Sequence, residues 1–173
     1  MNKHLLVLVF GGLLITTTVP ATEAALHVEV VKTITDIAAG ADRHDWRRVR
    51  AAMADEITTD YTSLFGGEPV TQKADELVKN WAAFLPGFDS THHMISNHTV
   101  IDTDGERAIA EADFTATHQI GEALWILGGR YSYRLNKSDA GWVVISITMQ
   151  ALWETGDRVT LIGQALERAA AGK

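Results

Sequence analysis

From Thr91 to Trp153 the apolar pattern repeats at every second residue, and this stretch constrains the fold more than any other part of the chain. A period of two sends successive side chains to opposite faces of a strand. Four long strands fit the pattern: Thr91 to Thr103, Glu106 to Ile120, Ala123 to Asn136, and Trp142 to Trp153. Asp104-Gly105 and the segment Ser138 to Gly141 have the composition of hairpin turns, and Gly121 with Glu122 makes the third. Turns this short join antiparallel neighbours, so the four strands form a meander.

Ahead of the meander the period is helical. Leu26, Val30, Ile34, Ile37 and Ala41 recur at spacings of three and four, which predicts an amphipathic helix with one buried stripe. Asp45 suits the N-cap of a second helix over Trp46 to Met53. Ile57 to Ser63 reads as a short strand, followed by a loop at Gly66, Gly67 and Pro69. Thr71 can cap a third helix with Leu77, Trp81, Phe84 and Leu85 on its apolar side, and Pro86-Gly87 stops it. Asp157 is placed to cap a terminal helix. Helices followed by an antiparallel meander, without internal repeat or linker, make a single α+β domain over residues 25–173, with about three helices on one face of the sheet.

Residues 1–24 read as a secretory leader: a positive charge near Met1, an apolar run from Leu5 to Val19, and small residues that allow cleavage after Ala21 or Ala24. A bacterial exported protein, periplasmic or secreted, is the expectation, with no membrane attachment once the leader is removed. The chain contains no cysteine, so the fold is held by packing alone, for which its 46% hydrophobic residues suffice. Its net charge is −7, and the arginines at 47, 48 and 50 lie inside a helix pattern beside acidic residues, as a solvated face would, which argues against nucleic-acid binding.

Polar residues interrupt these apolar patterns at a few positions. In the strand Glu106 to Ile120, Ala108, Ala110, Ala112, Phe114 and Ala116 share one face, and His118 falls on it. Small alanines leave room above the sheet, and room beside an imidazole is a pocket. His92 and His93 are adjacent and point to opposite faces, so only one of them can share that pocket; the pattern does not say which. A metal site among His92, His93, His98 and His118 lacks any familiar ligand spacing, and no metal or other cofactor is expected. Asp42 sits in the last turn of the first helix, where the carbonyl end of the helix dipole disfavours a carboxylate by roughly a few tenths of a kcal/mol. Such an acid needs a compensating partner, and an imidazole oriented by it is one. Tyr61, in the short strand, has a hydroxyl to offer a substrate carbonyl, while Trp125, Tyr131, Tyr133, Trp142 and Trp153 can line an aromatic pocket.

Four local motifs, Ala41-Asp42-Arg43-His44-Asp45-Trp46, Asp60-Tyr61-Thr62-Ser63, Thr91-His92-His93-Met94 and Thr117-His118-Gln119, with a closing Trp153-Glu154, resemble the SnoaL-like branch of the nuclear-transport-factor-2-like superfamily, and within it the scytalone dehydratase type. The resemblance runs from about Val28 to Asp157. It implies a cone-shaped barrel in which a curved, mostly antiparallel sheet and its helices enclose one deep pocket. It further implies Asp42 as the dyad carboxylate, His93 as the catalytic histidine, His118 as a second pocket histidine and Tyr61 as the residue acting on a carbonyl. Gln150 falls near a position for a pocket amide, and Trp125, Phe114 and Tyr131 are further substrate-binding candidates. The pattern departs at Ala41, where the dehydratases carry a second tyrosine.

The activity implied is a lyase without cofactor that removes a proton next to the carbonyl of a hydrophobic or cyclic small molecule and expels water or another leaving group. An isomerase or cyclase using the same dyad, a periplasmic binding protein, and a module that self-associates through its open sheet face are the alternatives. A homo-oligomer, dimer or trimer, is expected from the resemblance.

Overall fold

The computed structural model describes residues 21–172. The leader expected over residues 1–24 lies outside the described residues except for its last four positions, which begin the first helix. Among the described residues, five helices and six strands follow in the order α1 (Ala21–Asp42), α2 (Trp46–Ala51), β1 (Met53–Asp60), α3 (Thr62–Phe65), β2 (Val70–Lys73), α4 (Ala74–Ala82), β3 (Ser90–Thr103), β4 (Arg107–Ile120), β5 (Ala123–Ser138), β6 (Gly141–Gly156) and α5 (Arg158–Ala170), with a 3-10 turn at Leu85–Gly87 between α4 and β3. None of the described helices is long and apolar enough to cross a membrane.

One mixed sheet carries the fold, in the order β2-β1-β6-β5-β4-β3. All its pairings are antiparallel except that of β1 with β6. On β4 every second residue from Ala108 to His118 is buried, which is the inner face expected from the alternation. Across from those alanines stand large side chains of β5: Tyr133 opposite Ala110, Tyr131 opposite Ala112, and Leu127 opposite Ala116. Small against large lets rings lie over the sheet without strain. The stripe Val30, Ile34, Ile37 and Ala41 of α1 is buried and covers this face.

The helices differ from the expectation in three places, each for a local reason. Thr71 does not cap α4. It lies in β2 opposite Thr58, with their hydroxyl oxygens 2.8 Å apart, and α4 begins without any side-chain cap after Lys73. The second helix ends at Ala51 and Met53 already pairs with Val144, so β1 starts four residues before the expected Ile57. Tyr61 is not in a strand. Asp60 ends β1 by accepting hydrogen bonds from the Thr62 N–H (3.1 Å) and hydroxyl (2.7 Å), a turn that swings Tyr61 inward at the start of α3.

The bend that delivers Asp42 is equally specific. His44 adopts a positive φ of 54°, and the N–H groups of Arg43, His44 and Asp45 close α1 onto the carbonyls of Gly40 and Ala41. Asp45 then caps α2, accepting from the Arg48 N–H at 3.1 Å, as its position suggested. A Cβ on Gly40 would stand 2.7 Å from Cγ2 of Val49, so the missing side chain is what lets α2 fold back on α1.

Candidate active site

Asp42 ends α1 beside the start of β3, and three donors converge on its carboxylate. Oδ1 lies 2.6 Å from Nδ1 of His93 and accepts the Thr91 hydroxyl at 2.9 Å, while Oδ2 accepts the His93 backbone N–H at 2.7 Å. This is the compensation that a carboxylate at a helix C-terminus requires. Burial alone pushes the Asp42 pKa up, but the His93 ring and N–H and the Thr91 hydroxyl outweigh it and hold the acid below its ordinary value. An ionised carboxylate only accepts, so Nδ1 of His93 carries the proton in this bond. Nε2, on the far edge of the ring, is then the basic nitrogen.

Pairing with β4 settles which histidine faces inward. His93 is opposite Ala116 on the buried face, and His92 is opposite Thr117 and exposed. His118 is 4% exposed, with its ring stacked on Trp125 at 4.3 Å and edge-on to His93 at 5.4 Å. Its Nδ1 is buried without a partner. Burial first, and then the neighbouring His93, push its pKa down to about 4, so the ring is neutral at physiological pH. A neutral imidazole can donate or accept a hydrogen bond here, but it is not a proton reservoir.

That shift has a consequence for stability. The unfolded chain protonates His118 near its ordinary 6.5, whereas the folded chain resists until about pH 4. Stability attributable to this group is therefore full above pH 6.5 and declines as the pH falls towards 4, by about 3 kcal/mol in all. Asp42 acts in a lower window, below its ordinary 3.8. Urea unfolding at pH 7 and pH 4.5 is expected to show the loss in wild type and a smaller one in His118→Phe; equal losses in the two proteins would contradict it.

His93 and His118 form one wall of a cavity of about 300 Å³. Tyr61, Tyr131, Tyr133 and Trp125 also line it, together with Trp81 and Phe84 from the α4 region, and among the described residues no Lys, Arg, Asp or Glu does so. Of the residues singled out in the sequence, Asp42, His93, His118, Tyr61, Trp125 and Tyr131 are thus brought together here. Phe114 is not at the surface of the cavity; it stacks on Tyr131 at 4.2 Å and supports that ring from behind. Gln150 is exposed and outside the site. Unbroken alternation from Trp142 and Val144 would carry Gln150 inward. A bulge at Ile145, where Val144 pairs with Leu135 but Ser146 with Arg134, reverses the parity and turns Ile147 and Met149 to the cavity instead.

Side chains that were given no role of their own in the sequence tie α3 and α5 down beside the cavity. Ser63 donates to the Met149 carbonyl at 2.6 Å and accepts from the Ala151 N–H at 3.0 Å, pinning α3 to β6. Arg158, at the start of α5, donates to the Leu64 carbonyl at 2.6 Å and lies over the Phe65 ring. It also pairs with Glu154 at 3.7 Å, whose carboxylate accepts the indole N–H of Trp125 at 3.1 Å. Among the described residues no three His, Asp or Glu side chains gather as a metal site would need.

A SnoaL-like domain model matches residues 22–148. Similar solved structures include the Kfla4162 protein from Kribbella flavida, 23% identical over 82% of this chain and 99% of that one, with a TM-score of 0.75. A candidate scytalone dehydratase from Novosphingobium aromaticivorans is 16% identical over 79% of this chain and 91% of its own, with a TM-score of 0.68. The hexachlorocyclohexane dehydrochlorinase LinA-type3 from Novosphingobium barchaimii is 15% identical over 79% and 92%, with a TM-score of 0.64. No curated protein sequence matches the chain significantly. At these identities the structures establish a shared fold.

Proposed function

The chain belongs to the SnoaL-like domain family, and from that premise we propose that it is a cofactor-independent lyase acting on a hydrophobic or cyclic carbonyl compound. The observation that carries this reading is the 2.6 Å contact between Asp42 and His93, which leaves Nε2 as the base on a ring that lines an apolar cavity. Two of the similar structures bear the names of a dehydratase and a dehydrochlorinase, both elimination enzymes, and this supports the reaction class. The leader-like composition of residues 1–24 supports action outside the cytoplasm.

In the proposed reaction Nε2 of His93 takes the proton from the carbon next to the carbonyl. The C–H electron pair forms a carbon–carbon double bond, and the carbonyl π pair moves onto oxygen, giving an enolate. Tyr61 donates a hydrogen bond to that oxygen. The enolate then collapses and expels hydroxide from the neighbouring carbon, which takes the proton back from His93 and leaves as water; an enone and neutral His93 remain. Positioned acid–base catalysis of this kind contributes about 10²–10⁴-fold in rate. His118, neutral and wedged between Trp125 and His93, keeps the base from swinging away and offers a hydrogen bond to the leaving oxygen.

Incubation of the protein with cyclic β-hydroxy ketones in D2O tests the reading. Enzyme-dependent formation of the enone, with deuterium appearing at the carbon next to the carbonyl in unreacted ketone, is the expected result. Exchange without elimination would instead indicate an isomerase using the same dyad, and neither exchange nor elimination across the panel would leave a binding protein.

A further inference from the structure

Near its end, β6 sends two neighbouring side chains to opposite faces. Trp153 lies on the outer face over Gly128, where a Cβ would stand 2.4 Å from the indole ring. Glu154, next in the chain and opposite Leu127, therefore turns to the inner face. Trp125 is an inward residue of β5 two positions from Leu127, diagonal to Glu154 and within reach of a long side chain. Gly156 lets the two strand ends close together: its φ is 91°, and a Cβ there would stand 2.0 Å from the Leu124 carbonyl oxygen. A carboxylate is thus placed on the cavity side of the sheet, yet outside the cavity lining.

One oxygen of that carboxylate, Oε2, has two partners. It accepts the Trp125 indole N–H at 3.1 Å and lies 3.7 Å from Nε of Arg158, whose guanidinium is anchored in turn on the Leu64 carbonyl. Trp125 is 3% exposed, and a buried indole donor without an acceptor is costly, so Glu154 decides which way the indole edge faces. The indole then orients His118. That imidazole lies on the Trp125 face at 4.3 Å, with the planes 21° apart, and the rings of Phe88 at 5.0 Å and His93 at 5.4 Å close around it. Its Nδ1 has no hydrogen-bond partner among the described residues, which leaves these rings to set its orientation. Asp42 fixes the Nδ1 edge of His93, and the edge-on contact with His118 limits where the rest of that ring can stand.

We propose that Glu154 is a positioning residue for the base: by fixing the Trp125 indole it fixes His118, and through His118 it fixes where Nε2 of His93 stands in the cavity. The inference rests on the lyase reading for what Nε2 does, and on geometry alone for where it stands. Glu154 touches neither ligand nor base and takes part in no proton transfer. Its contribution is alignment. A reacting group misplaced by about 1 Å costs on the order of 10²-fold in rate, and closely packed rings pass a displacement on because none can yield singly.

The test compares Glu154→Leu, which fills the same space without an acceptor, with Glu154→Gln, which keeps an amide oxygen for the indole. Arg168→Leu, which breaks the ion pair of Arg168 with Asp89 far along α5, is the control for stability. In 15N spectra of the histidine rings, Glu154→Leu is expected to move the signals of both His118 and His93, and Glu154→Gln to leave them near wild type. With a cyclic β-hydroxy ketone, Glu154→Leu should lower kcat about tenfold or more while KM stays within about threefold. Glu154→Gln should restore most of that loss, and Arg168→Leu should keep the wild-type kcat even where its urea midpoint falls as far. Ring signals unmoved in Glu154→Leu, or a glutamine variant as impaired as the leucine one, would overturn the proposal. An equal loss of kcat in Arg168→Leu would do the same, because it would assign the effect to stability. The two readings fail separately: if wild type turns over no ketone, the lyase reading falls, and the histidine signals still decide whether Glu154 sets those rings.

Discussion

Asp42→Asn is expected to lower turnover of a cyclic β-hydroxy ketone by about 10³–10⁴-fold, the size of effect that follows when a carboxylate–histidine pair is put in the wrong tautomer. The reason lies in the count of donors. Wild-type Asp42 accepts from the His93 N–H, from Nδ1 of the same ring and from the Thr91 hydroxyl. An asparagine has one oxygen and one NH2 to meet these three. Whichever way the amide turns, a donor faces a donor unless His93 gives up its Nδ1 proton. The ring then carries its hydrogen on Nε2, and the nitrogen facing the cavity is no longer a base. His93→Ala, which removes the base itself, should cost at least as much. The loss should fall on kcat more than on KM, since neither change alters the apolar walls. Turnover within threefold of wild type in Asp42→Asn, with unchanged circular dichroism, would remove the dyad from the mechanism.

Gly87→Ala is expected to destabilise the fold by more than about 3 kcal/mol, at the upper end of what an overpacked core costs. A Cβ on Gly87 would lie 1.8 Å from the carbonyl oxygen of Ala165, 2.6 Å from its carbon and 2.8 Å from its Cα. All three are backbone atoms of α5, and Ala165 is fully buried, so no side chain can turn aside to make room. The helix must move as a body. Its first residue, Arg158, holds the Leu64 carbonyl, so the displacement should reach α3 and the cavity wall that Leu64 and Phe65 form. Gly163, exposed in the same helix with nothing within 4 Å of the place a Cβ would take, provides the contrast. Gly163→Ala should stabilise by about 0.5–1 kcal/mol through helix propensity alone. Urea midpoints of the two variants and wild type decide the matter, and a Gly87→Ala protein as stable as wild type would refute the close packing of α5 on the 3-10 turn.

How much was legible before the structure follows from which interactions decide each position. The inner face of β4 could be read from composition because its alternation is unbroken from Ala108 to His118. Asp42 announced itself as a carboxylate at the wrong end of a helix. The choice between His92 and His93 could not come from the strand's own pattern, since both residues are histidine; it is made by register, His93 opposite Ala116. Tyr61 was recognisable as a candidate but not as a turn residue, because the cap that ends β1 depends on the Asp60 side chain. Gln150 was suggested only by the family resemblance; the bulge at Ile145 turns it to solvent, and bulges leave almost no mark in hydrophobicity. Thr71 looks like a cap locally and is drawn into a strand by its partner Thr58. Trp81 and Phe84 were visible as an apolar helix side, but core packing and cavity lining use the same residues, and only enclosure tells them apart.

The parallel union of β1 with β6, running from Met53 beside Val144 to Asp60 beside Thr148, stitches the front of the polypeptide to its back. A chain emerging from the ribosome would have both Asp42 and His93 in hand long before the strand bearing Ile147 and Met149 was made. The reactive pair is therefore synthesised early and its container late. Such distant partners make folding slow to commit, because nearly a hundred residues of loop must be closed before that edge gains any reward. A protein cut short between β3 and β6 would own its base and its acid and have no chamber to use them in.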